Sequence, residues 1–181
     1  MAKVALFLAD GYEEIEALAV VDIFRRAEIE TDMVSISDEL MTNGSHKIQV
    51  MADKLLKDIV FEEYDMLVLP GGLKGMQNLE ACEKLMKQVD AFYENGKFIA
   101  AICASPSIFG RRGILENKEA TAYPGFEDEL KGATVVDAGA VRAGNVITGC
   151  SMGCAIEFAL LLVETLLGED KAGEIADQIV Y

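Results

Sequence analysis

The chain opens on an apolar run, Val4-Ala5-Leu6-Phe7-Leu8-Ala9, that stops at Asp10-Gly11. Similar runs recur. Met66 to Leu69 ends at Pro70-Gly71-Gly72, and Phe98 to Ala104 ends at Ser105-Pro106. Short unbroken apolar stretches closed by turn residues read as strands buried on both faces. Lys3–Ala9, Met66–Leu69 and Phe98–Cys103 are therefore predicted strands, with Ile29–Ser37 as another. Shorter strands are predicted over Ile48–Ala52, after the turn signal Asn43-Gly44, and over Glu119–Tyr123, Thr134–Val136 and Val146–Thr148. The stretches between them change period. Glu13–Ala27 spaces Ile15, Leu18, Ala19 and Ile23 as a helix does. Leu79–Tyr93 reads as a helix stopped by Asn95-Gly96, and Gly153–Leu167 as an amphipathic helix stopped by Gly168. Lys171–Val180 is a last helix. A short one starts near Ser105-Pro106, since proline suits a first helical turn.

Alternating strands and helices imply βαβ units. The predicted class is α/β, a mostly parallel sheet with helices on both faces, in three layers. No repeat, low-complexity tract or linker divides the chain, so 1–181 reads as one domain. Ligands of such sheets sit beyond the carboxyl ends of the strands, near a switch in strand order. The segments to examine are then Asp10–Glu16, Pro70–Gly75 and Cys103–Ser107.

Charge narrows the function classes. The 181 residues hold 16 Lys and Arg against 31 Asp and Glu, a formal charge of −15. Nucleic acid binding needs a basic footprint, and an anionic membrane repels such a surface, so neither partner is expected. The longest apolar run, Phe98–Ala104, is far below the roughly 18 residues of a membrane span. The N-terminal run is too short for a signal-peptide core. A cytoplasmic protein with reduced thiols is expected for Cys82, Cys103, Cys150 and Cys154. One histidine, His46, excludes multi-His metal sites; in its turn-rich segment it reads as a solvated side chain. Cys150 and Cys154 are four apart but lack further soft ligands, and no phosphate-binding glycine fingerprint is present. No metal or cofactor is expected. The cysteine pair either packs the last long helix or partners an oxidised Cys103; the spacing leaves both open.

Cys103 carries the sharpest signal. It stands between an apolar strand and a helix start, the topology of a nucleophile elbow. The helix start is expected to lower the thiol pKa, and backbone amides there to hold an oxyanion. The bland alternative is a buried inert thiol at a strand end. Gly71-Gly72 lets backbone approach a ligand closely, or serves as a plain turn. Glu13 and Glu14 suit a helix first turn as dipole partners. Glu16 lies one turn past Glu13. If it faces the strand ends, burial raises its pKa and lets it donate a hydrogen bond to a thiolate.

Together these segments resemble the ThiJ/PfpI superfamily, in the branch of the Parkinson-disease-associated redox protein. The matching pieces are Gly-Tyr-Glu-Glu-Ile-Glu (11–16), Asp22 to Ala27, Leu67 to Gly72, Ala100 to Ala104, Tyr123-Pro124-Gly125 and Ile156 to Leu160. The resemblance implies a flavodoxin-like sandwich and a homodimer. It implies a reactive Cys103, a protonated Glu16 bonded to it, and an oxyanion pocket from the amides of Gly72 and Ala104. Glu13 and Arg26 would lie near the dimer interface, and Gly71, Ser105 and Tyr123 would line the site. The implied activity is on small reactive carbonyls, as a glutathione-independent glyoxalase or deglycase. The alternatives are an oxidative-stress sensor or chaperone whose Cys103 becomes a sulfinate, and a cysteine peptidase. Four positions depart from the family pattern. Tyr123 stands where many members have His, and Ser105 where many have Gly. Ser151-Met152-Gly153-Cys154 replaces Gly-Pro-Gly-Thr, and His46 replaces an arginine.

Overall fold

The computed structural model describes residues 2–181. The first half runs β1 (Lys3–Leu8), α1 (Glu14–Arg26), β2 (Glu30–Ser35), β3 (Met41–Asn43), β4 (Gln49–Met51), β5 (Lys54–Leu55), β6 (Met66–Leu69), α2 (Leu73–Ala81) and α3 (Glu83–Glu94). The second runs β7 (Phe98–Ile102), α4 (Pro106–Arg111), β8 (Glu119–Ala120), β9 (Thr134–Val135), β10 (Ala140–Ala143), β11 (Val146–Gly149), α5 (Ala155–Leu167) and α6 (Glu169–Ile179).

Seven strands form one sheet in the order β10-β11-β7-β6-β1-β2-β5. All neighbours are parallel except β10 and β11. Side chains alternate across it, as the period of two requires. Phe7, Leu67, Leu69 and Ile99 pack with Leu79, Val89, Phe92 and Phe109 on one face. Leu6, Leu8, Val68 and Ile102 pack with Val20, Phe24, Phe158 and Leu162 on the other. Two buried faces explain why the strands read as unbroken apolar runs. This is the predicted α/β sandwich of three layers. Strand order reverses at β1, which lies between β2 and β6. In such sheets ligands are held at the carboxyl ends of the strands beside the switch, here β1 and β6.

The structure corrects the pattern in several places. Helix α1 buries Glu14, Glu16, Ala17, Val20, Val21, Ile23 and Phe24, while Ile15 is 53% exposed. The helix is turned relative to the face that Ile15, Leu18 and Ala19 suggested, because packing against α5 and the sheet selects the other stripe. The single helix expected over Leu79–Tyr93 is two, α2 and α3. Cys82, with ψ 88°, leaves the helical region between them. The strand expected over Glu119–Tyr123 stops at Ala120, and β10 was not anticipated.

Candidate active site

The chain leaves β7 through Cys103 with φ +66°. That left-handed conformation is uncommon for a residue with a side chain and needs support from its surroundings. Three backbone hydrogen bonds supply it. The Cys103 amide donates to Gly149 (3.0 Å), the Tyr123 amide donates to the Cys103 carbonyl (2.8 Å), and the Ser105 amide donates to Ile102 (3.1 Å). The turn is the elbow that the sequence suggested. Its half-buried thiol packs toward the α1 and α5 face of the sheet.

Glu16 comes to the same place from the first full turn of α1. Its side chain is buried, and Oε2 accepts the Gly71 amide at 2.9 Å. Oε1 is buried with no hydrogen-bond partner among the described residues. An orphaned buried acceptor is costly, by about 1–3 kcal/mol, and marks where a proton or a ligand group belongs. Gly71 is a requirement of this geometry. A Cβ there would lie 2.5 Å from the Cys103 Cβ and 2.5 Å from Glu16 Oε2. Gly72 follows at φ +86°, where a side chain would collide with the Gly11 carbonyl.

The electrostatics of the pair are set by burial. It pushes the Glu16 carboxyl up from 4.5 to about 7, against the opposing pull of the nearby Cys103 thiol and of the Gly71 and Met152 amides; the Glu13 charge adds to the rise. Burial also pushes the Cys103 thiol up to about 12, and the Glu16 charge and hydrogen bond add to it. The Gly72 and Ala104 amides pull the other way and are outweighed. Glu16 thus shifts in the expected direction. The expected lowering of the thiol pKa is corrected: with an ionised carboxyl beside it, Cys103 keeps its proton. The two groups compete to hold one negative charge.

The other expected residues divide. The amides of Gly72 and Ala104 do meet at Cys103, from the ends of two different strands. The Glu13 amide donates to the Gly71 carbonyl (3.0 Å), and its carboxylate accepts from the Ser45 hydroxyl (3.3 Å) at the rim. Tyr123 touches the elbow through its amide, while its ring is half-exposed. Ser105 is fully buried and does not line the site. Nor does it cap α4: its hydroxyl donates to the Pro70 carbonyl at 2.6 Å, tying the elbow to the end of β6. Arg26 pairs with Asp22 near the far end of α1, about 15 Å along the helix from Glu16. Within one chain it is remote from Cys103.

Two features escaped the sequence reading. Glu14 is buried, not a solvated dipole partner. Its carboxylate accepts the His46 amide (2.7 Å), contacts His46 Nδ1 (2.9 Å) and accepts the Ser45 hydroxyl (3.2 Å). Burial alone would raise its pKa, but these bonds, His46 foremost, hold it down at about 2. The hydrogen bond to Glu14 and the nearby acidic charges raise the His46 pKa in turn. Glu13, Glu14 and His46 also place one ligand atom each within 4.8 Å of one another, a grouping that could hold a cation. The signal in the sequence was that Glu14 falls in phase with Ala17, Val21 and Phe24. The second missed feature is Met152, on the loop after β11, whose amide lies close enough to Glu16 to lower its pKa.

Comparison with known proteins agrees with this layout. The profile of the DJ-1/PfpI family matches residues 2–165. Protein DJ-1 homolog B of Arabidopsis thaliana is 37% identical over 180 residues, covering 98% of this chain and 41% of that protein. The chain thus spans about two fifths of the length of that relative. A Schizosaccharomyces pombe protein named glutathione-independent glyoxalase DJ-1 is 33% identical over 181 residues, covering 94% of each. The solved structure of oxidised Toxoplasma gondii DJ-1 superposes with a TM-score of 0.96 at 34% identity, covering 100% of this chain and 99% of that one. Sequence and fold agree nearly end to end, and the chain belongs to the DJ-1/PfpI family.

Proposed function

We propose that the protein converts small dicarbonyls such as methylglyoxal to hydroxy acids, with Cys103 as nucleophile and Glu16 as proton carrier. The observation that carries this reading is the orphaned Oε1 of a buried carboxyl, coupled to a thiol at an elbow where two amides converge. The resting pair holds a thiol and a carboxylate. As sulfur attacks the aldehyde carbon, the thiol proton passes to Glu16, whose raised pKa near 7 favours receiving it. The Gly72 and Ala104 amides face the developing alkoxide. Glu16 gives the proton to that oxygen, takes the hydrogen from the same carbon as a proton and returns it to the neighbouring carbon, while the hydroxyl proton moves to the former ketone oxygen. A thioester on Cys103 results, and water releases the hydroxy acid and restores the thiol. The name of the S. pombe relative supports the same reaction class.

Lactate formation from methylglyoxal tests this directly. Wild-type protein is expected to turn over, and Cys103→Ala and Glu16→Gln to lose activity by at least about a hundredfold. Wild-type activity retained in either variant, or no lactate from the wild type, overturns the reading.

The same reading includes a homodimer. Ile15 on α1, Ile48, Met152 and Ile156 are each at least 40% exposed, and large exposed apolar side chains fit a protein interface.

A further inference from the structure

The hairpin after β2 returns to the start of α1 and closes on a carboxylate. Gly44, Ser45 and His46 lie between β3 and β4, and Glu14, 3% exposed, meets them from the first turn of α1. The approach needs a glycine, since a Cβ at Gly44 would collide with Glu14 Oε1. That oxygen accepts the His46 amide at 2.7 Å, which fixes the carboxylate with Oε2 beside the His46 ring.

Three more heteroatoms gather at Oε2. His46 Nδ1 is 2.9 Å from it and 3.7 Å from Glu13 Oε1. The Ser45 hydroxyl is 3.0 Å from Nδ1, 3.2 Å from Glu14 Oε2 and 3.3 Å from Glu13 Oε2. Two carboxylates, one imidazole and one hydroxyl thus form a group of four corners. Zinc bound by nitrogen and oxygen at about 2.0–2.2 Å in a tetrahedron has edges of about 3.3–3.6 Å. The separations here, from 2.9 to 3.7 Å, bracket that value. A square-planar set, of the kind copper favours, needs two diagonals of about 4 Å; five of the six pairs here are shorter. The donors select the same ion. Imidazole beside carboxylate suits zinc, whereas magnesium and calcium prefer oxygen alone. Glu13 and Glu14 together balance its double charge. The Glu14 side chain is 4% exposed and that of His46 66%, so the group has a buried floor and an open top.

We propose that Glu13, Glu14 and His46 bind one zinc ion, which fastens the β3–β4 hairpin to the start of α1. Each carboxylate gives one oxygen. The ion takes the place of the hydrogen on His46 Nδ1, and that proton leaves to solvent. A serine hydroxyl is not among the usual zinc ligands, so the Ser45 side chain turns aside and water takes the fourth corner. The Glu13 amide donates to the Gly71 carbonyl at 3.0 Å, so the ion borders the Cys103 site while neither Cys103 nor Glu16 is a ligand.

The assignment does not draw on the carbonyl reading, and the test keeps the two apart. The whole chain as Cys103→Ala, stripped with a chelator and held reduced, is titrated with zinc chloride by calorimetry and with cobalt chloride by absorbance. One zinc ion per chain is expected. Cobalt should show the visible bands of a four-coordinate site without sulfur-to-cobalt charge transfer, and zinc should abolish them. In the same background His46→Ala and Glu13→Gln should each weaken zinc by more than the roughly 10–100-fold that loss of an outer-shell partner costs. Hydrogen exchange at the Ser45 and His46 amides should slow when zinc is added. Undiminished affinity in either variant, sulfur charge transfer on the first cobalt, or no zinc bound overturns the site. Zinc that binds and leaves the exchange rates unchanged overturns the fastening. Lactate is not read in any arm, so failure of the carbonyl chemistry leaves the zinc result standing. The cobalt spectrum, taken with all three ligands intact, decides the matter even where a ligand variant folds poorly.

Discussion

Glu16 makes a titration curve legible in the fold. Its carboxyl ionises near 4.5 in the unfolded chain and near 7 in the native one. Between those values the native state binds more protons than the unfolded state, so stability falls as pH rises from about 4.5 to 7. A shift of that size corresponds to about 3 kcal/mol at most. Glu16→Gln is expected to match wild type near pH 4.5 and to be more stable by about 1–3 kcal/mol at pH 8, read by urea melts across that range. Ser105 predicts the opposite sign. Ser105→Ala leaves the buried Pro70 carbonyl without its 2.6 Å donor, so thermal melts should show a loss of about 1–3 kcal/mol. Cys103 was legible in the sequence because an apolar strand before it and Ser-Pro behind it define an elbow. The Ser105 partner was not, since a hydroxyl at a helix start reads as a cap, and only the approach of β6 to β7 reveals the competing acceptor. The thiol's raised pKa was hidden for a related reason: helix starts show in sequence, while the depth of burial and a facing carboxylate do not.

At the scale of elements, a buried carboxylate straps the β3–β4 hairpin to α1. Glu14 holds the His46 amide and ring, the Ser45 amide donates to Tyr12 at 2.8 Å, and the Gly11 amide donates to Asn43 at 2.8 Å. The His46 pKa is raised and the Glu14 pKa lowered in the folded state. The His46 contribution is therefore present at acid pH and lost as pH rises through its raised value. That of Glu14 is present near neutrality and lost as pH falls toward 2. His46→Ala is expected to speed amide exchange at Gly11 and Ser45 while leaving the amides of β7 protected, a contrast that hydrogen exchange resolves. Element type was largely readable, because sheet strands buried on both faces leave unbroken apolar runs. Helix phase was not. The face α1 buries depends on α5, which lies more than a hundred residues away, and Ile15 mimicked a core position. The α2–α3 break also escaped, since Cys82 carries no turn signature.

For the whole molecule, net charge would oppose the proposed dimer. Each chain carries −15, so a dimer must bring two strongly negative bodies together. Salt screens that repulsion over about 10 Å at 0.1 M. Dimer dissociation, followed by sedimentation, should tighten between 0.02 and about 0.3 M salt, and Ile48→Asp should shift the chain toward monomer at either concentration. Weakening with salt would argue for an ion-paired interface in place of the apolar one. Neither charge nor sequence pattern says how two copies would meet; the exposed apolar residues Ile15, Ile48, Met152 and Ile156 became visible only once the fold had buried the rest.

The ends of the main sheet have a consequence beyond its chemistry. One margin is β5, two residues long and bearing Lys54; the other is β10, turned antiparallel and bearing Arg142. Long flat margins with free backbone groups template the growth of fibrils, and short or charged ones resist it. The apolar runs that build the centre of this sheet are individually strong aggregation sequences, yet each is enclosed between neighbours. The folded chain should therefore stay colloidally quiet for as long as its two modest border strands remain in place.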